Sequence, residues 1–267
     1  MSVKGKIVVI TGGSGTLGMA LAQGLAEEGA IIYLLARNEI NLIQKVDFLK
    51  DMYLDATGIS CDVLNSDSVN SAVEQILARS GRIDILINGA GGNLQGATIR
   101  PDQSLFDLNI EEFKKVSELN LFGTVIPTIA FAKPMVNQKR GCIINISSMS
   151  AQLPLTRVVG YSAAKAAVDN FTRSMAVELA TKYGEGIRVN AVAPGFFIAD
   201  QNKNLLLNSD GTLTDRGNTI LSQTPFKRFG DPKELISTIL WLADDRSSFI
   251  TGIVVPVDGG FSAFSGV

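Results

Sequence analysis

A chain of 267 residues, 46% of them hydrophobic, is long enough to bury one sizeable α/β core. Its 24 basic and 26 acidic side chains give a formal charge of −2, with the basic residues scattered, which argues against a nucleic-acid footprint or an anionic-membrane patch. It contains no histidine, so imidazole bases, Ser-His-Asp triads and histidine metal sites are excluded. No metal site is expected, and acid–base chemistry falls to Tyr, Lys or carboxylates.

Met1–Ile10 carries an apolar stretch too short for a signal-peptide core and runs straight into a glycine turn. It reads as a first strand, Lys6–Thr11. The turn Thr11-Gly-Gly-Ser-Gly-Thr-Leu-Gly18 then opens a helix, Thr16–Glu28. Glycines there admit a pyrophosphate close to the backbone, and the helix start offers free N–H groups and a positive dipole. Gly12, Ser14, Gly15, Thr16 and Leu17 are the expected contacts. A second strand, Ala30–Leu35, ends at Ala36-Arg37-Asn38. An NAD-selective site usually places a carboxylate there. Ala36 followed by Arg37, whose guanidinium can pair with a 2′-phosphate, favours NADP over NAD.

Helix Glu39–Lys50, strand Ile59–Cys61, helix Ser66–Ser80 and strand Ile83–Ile87 follow. Gly91–Asn109 is long for a connection. Helix Ile110–Val136, strand Cys142–Ser147, helix Val159–Lys182 and strand Arg188–Ala193 continue the alternation. Phe196–Asp231 is a second long, polar segment with a weak helical pattern around Asn202–Asn208, before helix Pro232–Asp244 and strand Ile253–Val257. The near-continuous apolar strands suit a parallel sheet covered on both faces, and the βα alternation implies a doubly wound, single-domain α/β fold over residues 1–267. No run approaches membrane-spanning length. Cys61 and Cys142 read as buried thiols, and the protein as cytoplasmic. Both long segments follow strand C-termini, where such sheets bind ligands, and 196–231 is the expected substrate loop.

Tyr161 and Lys165 stand at i, i+4, on one helix face with Cβ atoms about 6 Å apart. An ammonium there would pull the phenol below its usual pKa and make it a proton donor near neutral pH. A substrate carboxylate, if there is one, would favour an arginine fork. Arg157, in the loop after Ser148, is the first candidate, with Arg100 and Arg216 next. Asn93, Gln152, Gln201 and Asn202 could bind hydroxyls.

The ordered set formed by the glycine turn, Asp62-Val63, Asn88-Gly-Ala-Gly91, Asn120, Ser148, Tyr161, Lys165 and Pro194-Gly195 resembles the short-chain dehydrogenase/reductase family over essentially the whole sequence. The resemblance implies a Rossmann fold with a seven-stranded sheet and a catalytic tetrad of Asn120, Ser148, Tyr161 and Lys165. It implies that Asp62 and Val63 flank the adenine, while Asn88, Ala90 and Gly91 support the cofactor ribose. Lys165 would hold the nicotinamide ribose, and Asn120 a water relaying protons from Lys165. It further implies nicotinamide contacts near Pro194, Gly195 and Phe197 and a homotetramer or homodimer. Arg37 and Asn38 fall at the adenosine end.

Two places depart from the family pattern. Thr16 stands where a middle glycine is usual, and Ala199 where many relatives carry Thr. Within the family, the stretches 88–93, 145–149, 194–197, Gln201-Asn202 and 210–214, Arg228-Phe-Gly230 and the tail 254–263 are similar to the short-chain type of D-mannonate oxidoreductase, also called fructuronate reductase. Ser150 and Leu94 depart from that group at expected pocket edges. The implied reaction moves hydride between a nicotinamide cofactor and a secondary alcohol or ketone of a sugar acid. A reductase for a gluconate-type acid or a 3-oxoacyl thioester, or a non-catalytic dinucleotide sensor, are the alternatives.

Overall fold

The structure is a computed structural model that describes residues 2–199 and 202–266. Seven parallel strands form one sheet: β1 (Ile7–Thr11), β2 (Ile31–Ala36), β3 (Ala56–Ser60), β4 (Ile85–Asn88), β5 (Gly141–Ile146), β6 (Ile187–Pro194) and β7 (Val254–Val257), in the spatial order β3-β2-β1-β4-β5-β6-β7. The direction of winding reverses between β1 and β4, which opens a crevice at the C-terminal ends of those strands.

Alternation along the strands builds two cores. Val8 and Ile10 of β1 face one layer, with Leu21, Leu25, Leu42, Ile239 and Leu242. Ile7 and Val9 face the other, with Val69, Ile76, Phe131, Ile143 and Leu179. The first layer is α1 (Thr16–Glu27), α2 (Glu39–Asp51) and, late in the sequence, Ile236–Ala243. The second is α3 (Ser66–Ser80), a long helical run and Val159–Tyr183. Period-2 side chains buried on both faces are what a covered parallel sheet requires.

The run expected as one helix from Ile110 is three pieces: α4 (Ile110–Ser117), a π-helical turn (Glu118–Phe122) and α5 (Gly123–Gln138). By length and composition this stretch is apolar enough to cross a membrane, contrary to the expectation that none would be. Half of its most apolar window is buried against the sheet and neighbouring helices, as in a core helix. Three further helices follow, α6 (Val159–Tyr183), the short α7 (Lys203–Leu206) and α8 (Asp215–Gln223), before α9 (Ile236–Ala243). Pro232–Leu235 is a 3-10 turn rather than the start of an α-helix, set by a capping box between Asp231 and Glu234. Strand β3 begins three residues earlier than its apolar pattern suggests. Ala56 and Gly58 pack under Leu42 and Val46 on one face, and Ile59 packs into the other core layer. Cys61 and Cys142 are free and buried.

The register sets the floor of the site. Thr11 pairs with Asn88, and Asn88 with Asn145. Asn88 Nδ2 donates to Thr128 Oγ1 and to Asn145 Oδ1, both at 2.8 Å, and Asn145 Nδ2 donates to Thr172 Oγ1 at 2.9 Å. This buried polar ladder ties α5, β4, β5 and α6 together just below the crevice, with Asn88 Oδ1 the one atom of it left without a partner among the described residues.

Candidate active site

The glycine turn makes steric use of Gly12, Gly13 and Gly18; a Cβ on Gly13 would lie 2.7 Å from Leu34 Cδ2. Gly12 has φ +66°, and a Cβ there would lie 2.8 Å from the backbone of Ala90 and the Gly89 carbonyl. A Cβ on Gly18 would strike the Gly12 carbonyl. Gly15, in contrast, is an extended N-cap of α1, and its Cβ would meet only the Gly12 carbonyl at 3.4 Å. The displaced glycine therefore answers no local steric demand. Thr11 Oγ1 accepts from Gly89 N at 3.1 Å and from Ala90 N at 3.2 Å, pinning the turn to the end of β4.

Beside this turn lies a cleft of about 670 Å³ lined by Gly12, Ser14, Gly15, Thr16, Leu17, Arg37, Asn38, Val63, Ala90 and Gly91 among others. The close backbone approach at Gly12, the open start of α1 and the length of the cleft fit a dinucleotide. At its far end Ala36 offers no carboxylate, Arg37 faces the cleft, and Asn38 caps α2 by accepting from Asn41 N at 2.9 Å. Two expected contacts are placed differently. Val63 is on the wall, but the Asp62 carboxylate turns to its own loop and accepts from Leu64 N at 3.1 Å. Asn88 lies beneath the cleft, in the polar ladder. Cys61 and Leu119 line the cleft although the sequence reading missed them. Cys61 directly precedes Asp62, a usable signal, whereas Leu119 arrives only through the π turn.

The cleft continues into a smaller pocket of about 110 Å³, sharing Leu17, Gly89, Gly91 and Ala199. Ser148, Tyr161, Lys165, Pro194, Gly195, Phe197 and Asn202 all line it. Ser148 follows β5, where its Oγ sits 3.0 Å from the Ser150 hydroxyl and accepts from Ser150 N at 3.2 Å. Ser150 is thereby tied to Ser148 rather than free at a pocket edge. The Tyr161 hydroxyl is bonded to Ser148, but burial has the larger effect and raises its pKa. This corrects the expectation that Lys165 depresses the phenol. Lys165 Nζ donates to the Ile146 carbonyl at 2.7 Å and lies 5.7 Å from the Tyr161 ring centroid, over its face. Burial lowers the Lys165 pKa to about 8, opposed by the Asp169 carboxylate.

Asp169, one helical turn past Lys165, is buried and bonded to the Ser147 hydroxyl, and burial raises its own pKa. The sequence reading missed it, though its i+4 spacing from Lys165 was a signal. The Asn120 side chain is committed to protein: Nδ2 donates to the Gly92 and Val116 carbonyls at 2.8 Å, and Oδ1 accepts from Gly92 N at 3.0 Å. It clamps the Gly91–Gly92 backbone, and both its N–H groups are used, so the expected water would need another atom of Asn120.

The substrate candidates divide. Asn202 spends its amide on the local turn, accepting from Ala199 N and donating to the Phe197 carbonyl, both at 2.8 Å. Asn93 Nδ2 donates to Thr98 Oγ1, leaving a buried Oδ1 with no partner among the described residues. Gln201 lies outside the described residues. Gln152 is exposed, and Arg100 is a surface residue pairing with Asp102 at 3.4 Å. Arg157 is half-buried, and its Nε donates to the Ile99 carbonyl at 2.8 Å.

Comparison with known proteins agrees with this geometry. Residues 6–209 match the family model described as short chain dehydrogenase. An uncharacterized oxidoreductase of Bacillus subtilis (strain 168), UxuB, is 45% identical, over 100% of this chain and 98% of the relative. A proposed D-mannonate oxidoreductase from Haemophilus influenza, solved with bound NAD, is 41% identical with a TM-score of 0.91, covering 100% of this chain and 98% of that one. A gluconate 5-dehydrogenase from Burkholderia cenocepacia J2315, solved with NADP and tartrate, is 30% identical with a TM-score of 0.86, covering 98% and 97%.

Proposed function

This chain belongs to the short-chain dehydrogenase family, and from that premise we propose that it oxidises and reduces a sugar acid, with D-mannonate and D-fructuronate as the first pair to test. The carrying observation is the convergence of Ser148, Tyr161 and Lys165 on one small pocket at the end of a dinucleotide-sized cleft. The similarity to the Haemophilus protein supports the substrate class, as does Arg157 between Ser148 and Tyr161. A gluconate-type acid is the second reading, favoured by the Burkholderia relative.

A bound nicotinamide dinucleotide would supply or accept the hydride. Tyr161 gives its proton to the substrate oxygen in reduction and takes it back in oxidation. Ser148 donates a hydrogen bond to the same oxygen and stabilises its developing charge. Lys165 supplies positive charge beside the phenol and ribose. Asn120 keeps Gly91–Gly92 in place at the pocket wall. Arg37 and the lack of a carboxylate at Ala36 support NADP(H), whereas the Haemophilus relative carries NAD. A homotetramer or homodimer is proposed for the assembly.

The test is a panel of sugar acids and keto sugar acids with both cofactors, followed by nicotinamide absorbance. D-Fructuronate should be reduced with kcat/KM about tenfold or more above its uncharged analogue, because charge-assisted hydrogen bonds exceed neutral ones. Tyr161→Phe should lower turnover by about 10²- to 10⁴-fold while retaining cofactor binding. Equal rates on the acid and its neutral analogue would remove the sugar-acid reading, and a Tyr161→Phe rate within a few-fold of parent would remove the catalytic assignment.

A further inference from the structure

Arg157, from the loop between Ser148 and Tyr161, and Arg216, from the 196–231 segment, bring two guanidinium groups to the same turn. Arg157 has φ +77°, a strained conformation for a residue with a side chain. Two bonds to Ile99 hold it there. Ile99 N donates to the Arg157 carbonyl at 3.0 Å, and Arg157 Nε donates to the Ile99 carbonyl at 2.8 Å. Arg157 is thus fastened to the 91–109 segment, and its two terminal nitrogens make no bond among the described residues.

Arg216, in the first turn of α8, arrives from the other segment. Its Nη2 lies 3.3 Å from the Thr156 carbonyl and its Nη1 3.5 Å from Thr156 Oγ1, contacts at the long end of hydrogen bonding. Thr156 adjoins Arg157, so the two cations meet. Five other arginines, Arg82, Arg100, Arg140, Arg228 and Arg246, pair with carboxylates. Arg157 and Arg216, like Arg37, Arg79, Arg173 and Arg188, have no such partner among the described residues; what marks this pair is that the two meet at Thr156. Burial and the neighbouring Arg157 both lower the Arg216 pKa. Two partly buried cations with only a carbonyl and a hydroxyl between them leave charge uncompensated, and an anion placed there relieves it.

We infer that Arg157 and Arg216 form a two-armed receptor for the substrate's carboxylate, and that the bound carboxylate bridges α8 to the 91–109 segment. The inference rests on the acid substrate proposed above and adds the second arm and its mechanical consequence. Arg157 is the fixed arm, held by Ile99. Arg216 is the arm carried by α8, which packs chiefly on the short α7. A neutral sugar cannot make the bridge, so discrimination for acids resides largely in Arg216.

Hydrogen exchange of the whole protein tests this, using D-mannonate with the reduced nucleotide, a pair that cannot react. Malonate serves as a simple carboxylate probe and D-mannitol as the neutral control. D-Mannonate and malonate should slow exchange of α8 amides several-fold, and D-mannitol should not. Arg216→Gln should abolish that protection and raise KM for D-mannonate about tenfold or more, with kcat changed less than about threefold, because a charged arm is removed far from the reacting atoms. Arg216→Lys should recover part of both effects, which a merely misfolded variant would not.

If D-mannonate is not turned over but malonate protects α8 through Arg216, the receptor stands and the proposed substrate falls. If D-mannonate is turned over and Arg216→Gln leaves KM within twofold and exchange unchanged, the receptor is overturned and the function stands. Absence of protection by both acids in the parent protein also overturns it.

Discussion

Lys165 holds the sharpest energetic conflict in the site. Its ammonium is buried, it donates to the Ile146 carbonyl, and its pKa falls to about 8 against 10.5 for the free side chain. Between those values the unfolded chain binds a proton that the folded one has released, so this group makes stability rise with pH across that window. Tyr161, Cys61 and Cys142 act oppositely. Burial raises their pKa values, so the unfolded chain releases protons first and stability falls above about pH 9. The Lys165 contribution is therefore read as a difference. Thermal unfolding of parent and Lys165→Met from pH 7 to 10 should show the variant gaining relative stability at pH 7 and losing that advantage by pH 10. A constant difference across the range would mean that Lys165 is solvated. The same substitution should weaken cofactor binding, since one ammonium serves ribose and phenol alike.

At the scale of elements, the glycine turn separates steric need from sequence habit. Gly12→Ala would place a Cβ 2.8 Å from the backbone of Ala90 in a left-handed conformation, so thermal unfolding should show a loss of several kcal/mol or no folded protein. Gly15→Ala meets only a 3.4 Å contact at an ordinary N-cap, so its cost should be about 1 kcal/mol or less. If the two variants melt alike, the turn is held by something other than the Gly12–Ala90 approach. The strands and most helices were legible because apolar runs and period-3.6 patterns directly reflect burial on a two-faced sheet, and Tyr161 with Lys165 because i, i+4 spacing is a local geometry. The π turn was not, because nothing in Glu118–Phe122 marks the extra residue. Its basis is tertiary, in Asn120 reaching across to the Gly92 backbone, and it alone brings Leu119 to the cleft. The orientation of Lys165 toward Ile146 and the meeting of Arg157 with Arg216 were likewise hidden, since each depends on segments far apart in the sequence.

For the whole molecule, two of the helices packed on the second face of the sheet, α5 and α6, leave apolar side chains in solvent. Phe122 and Ile129 are more than half exposed on and beside α5, and Val177 and Tyr183 on α6. Ala163 and Ala166 are exposed on α6 within a turn of Tyr161 and Lys165 and would let another helix approach closely. Late in the chain Phe249 is fully exposed, and Trp241 on α9 and Ile253 just before β7 are partly so. An apolar surface on α5 and α6, with further exposed apolar side chains near the C-terminal strand, is what a tetramer with two kinds of interface would use. Light scattering of the parent protein should give about four protomer masses. Val177→Arg places a charge in the centre of the α6 surface and should reduce the particle to dimers that keep the other contact, as an unpaired buried charge costs several kcal/mol per interface. Because α6 also carries Tyr161 and Lys165, that variant should lose activity in step with dissociation, and activity measured against protein concentration should follow the same midpoint as the scattering. A monomeric parent, or a Val177→Arg variant that stays tetrameric, would show that the α6 surface is simply solvated.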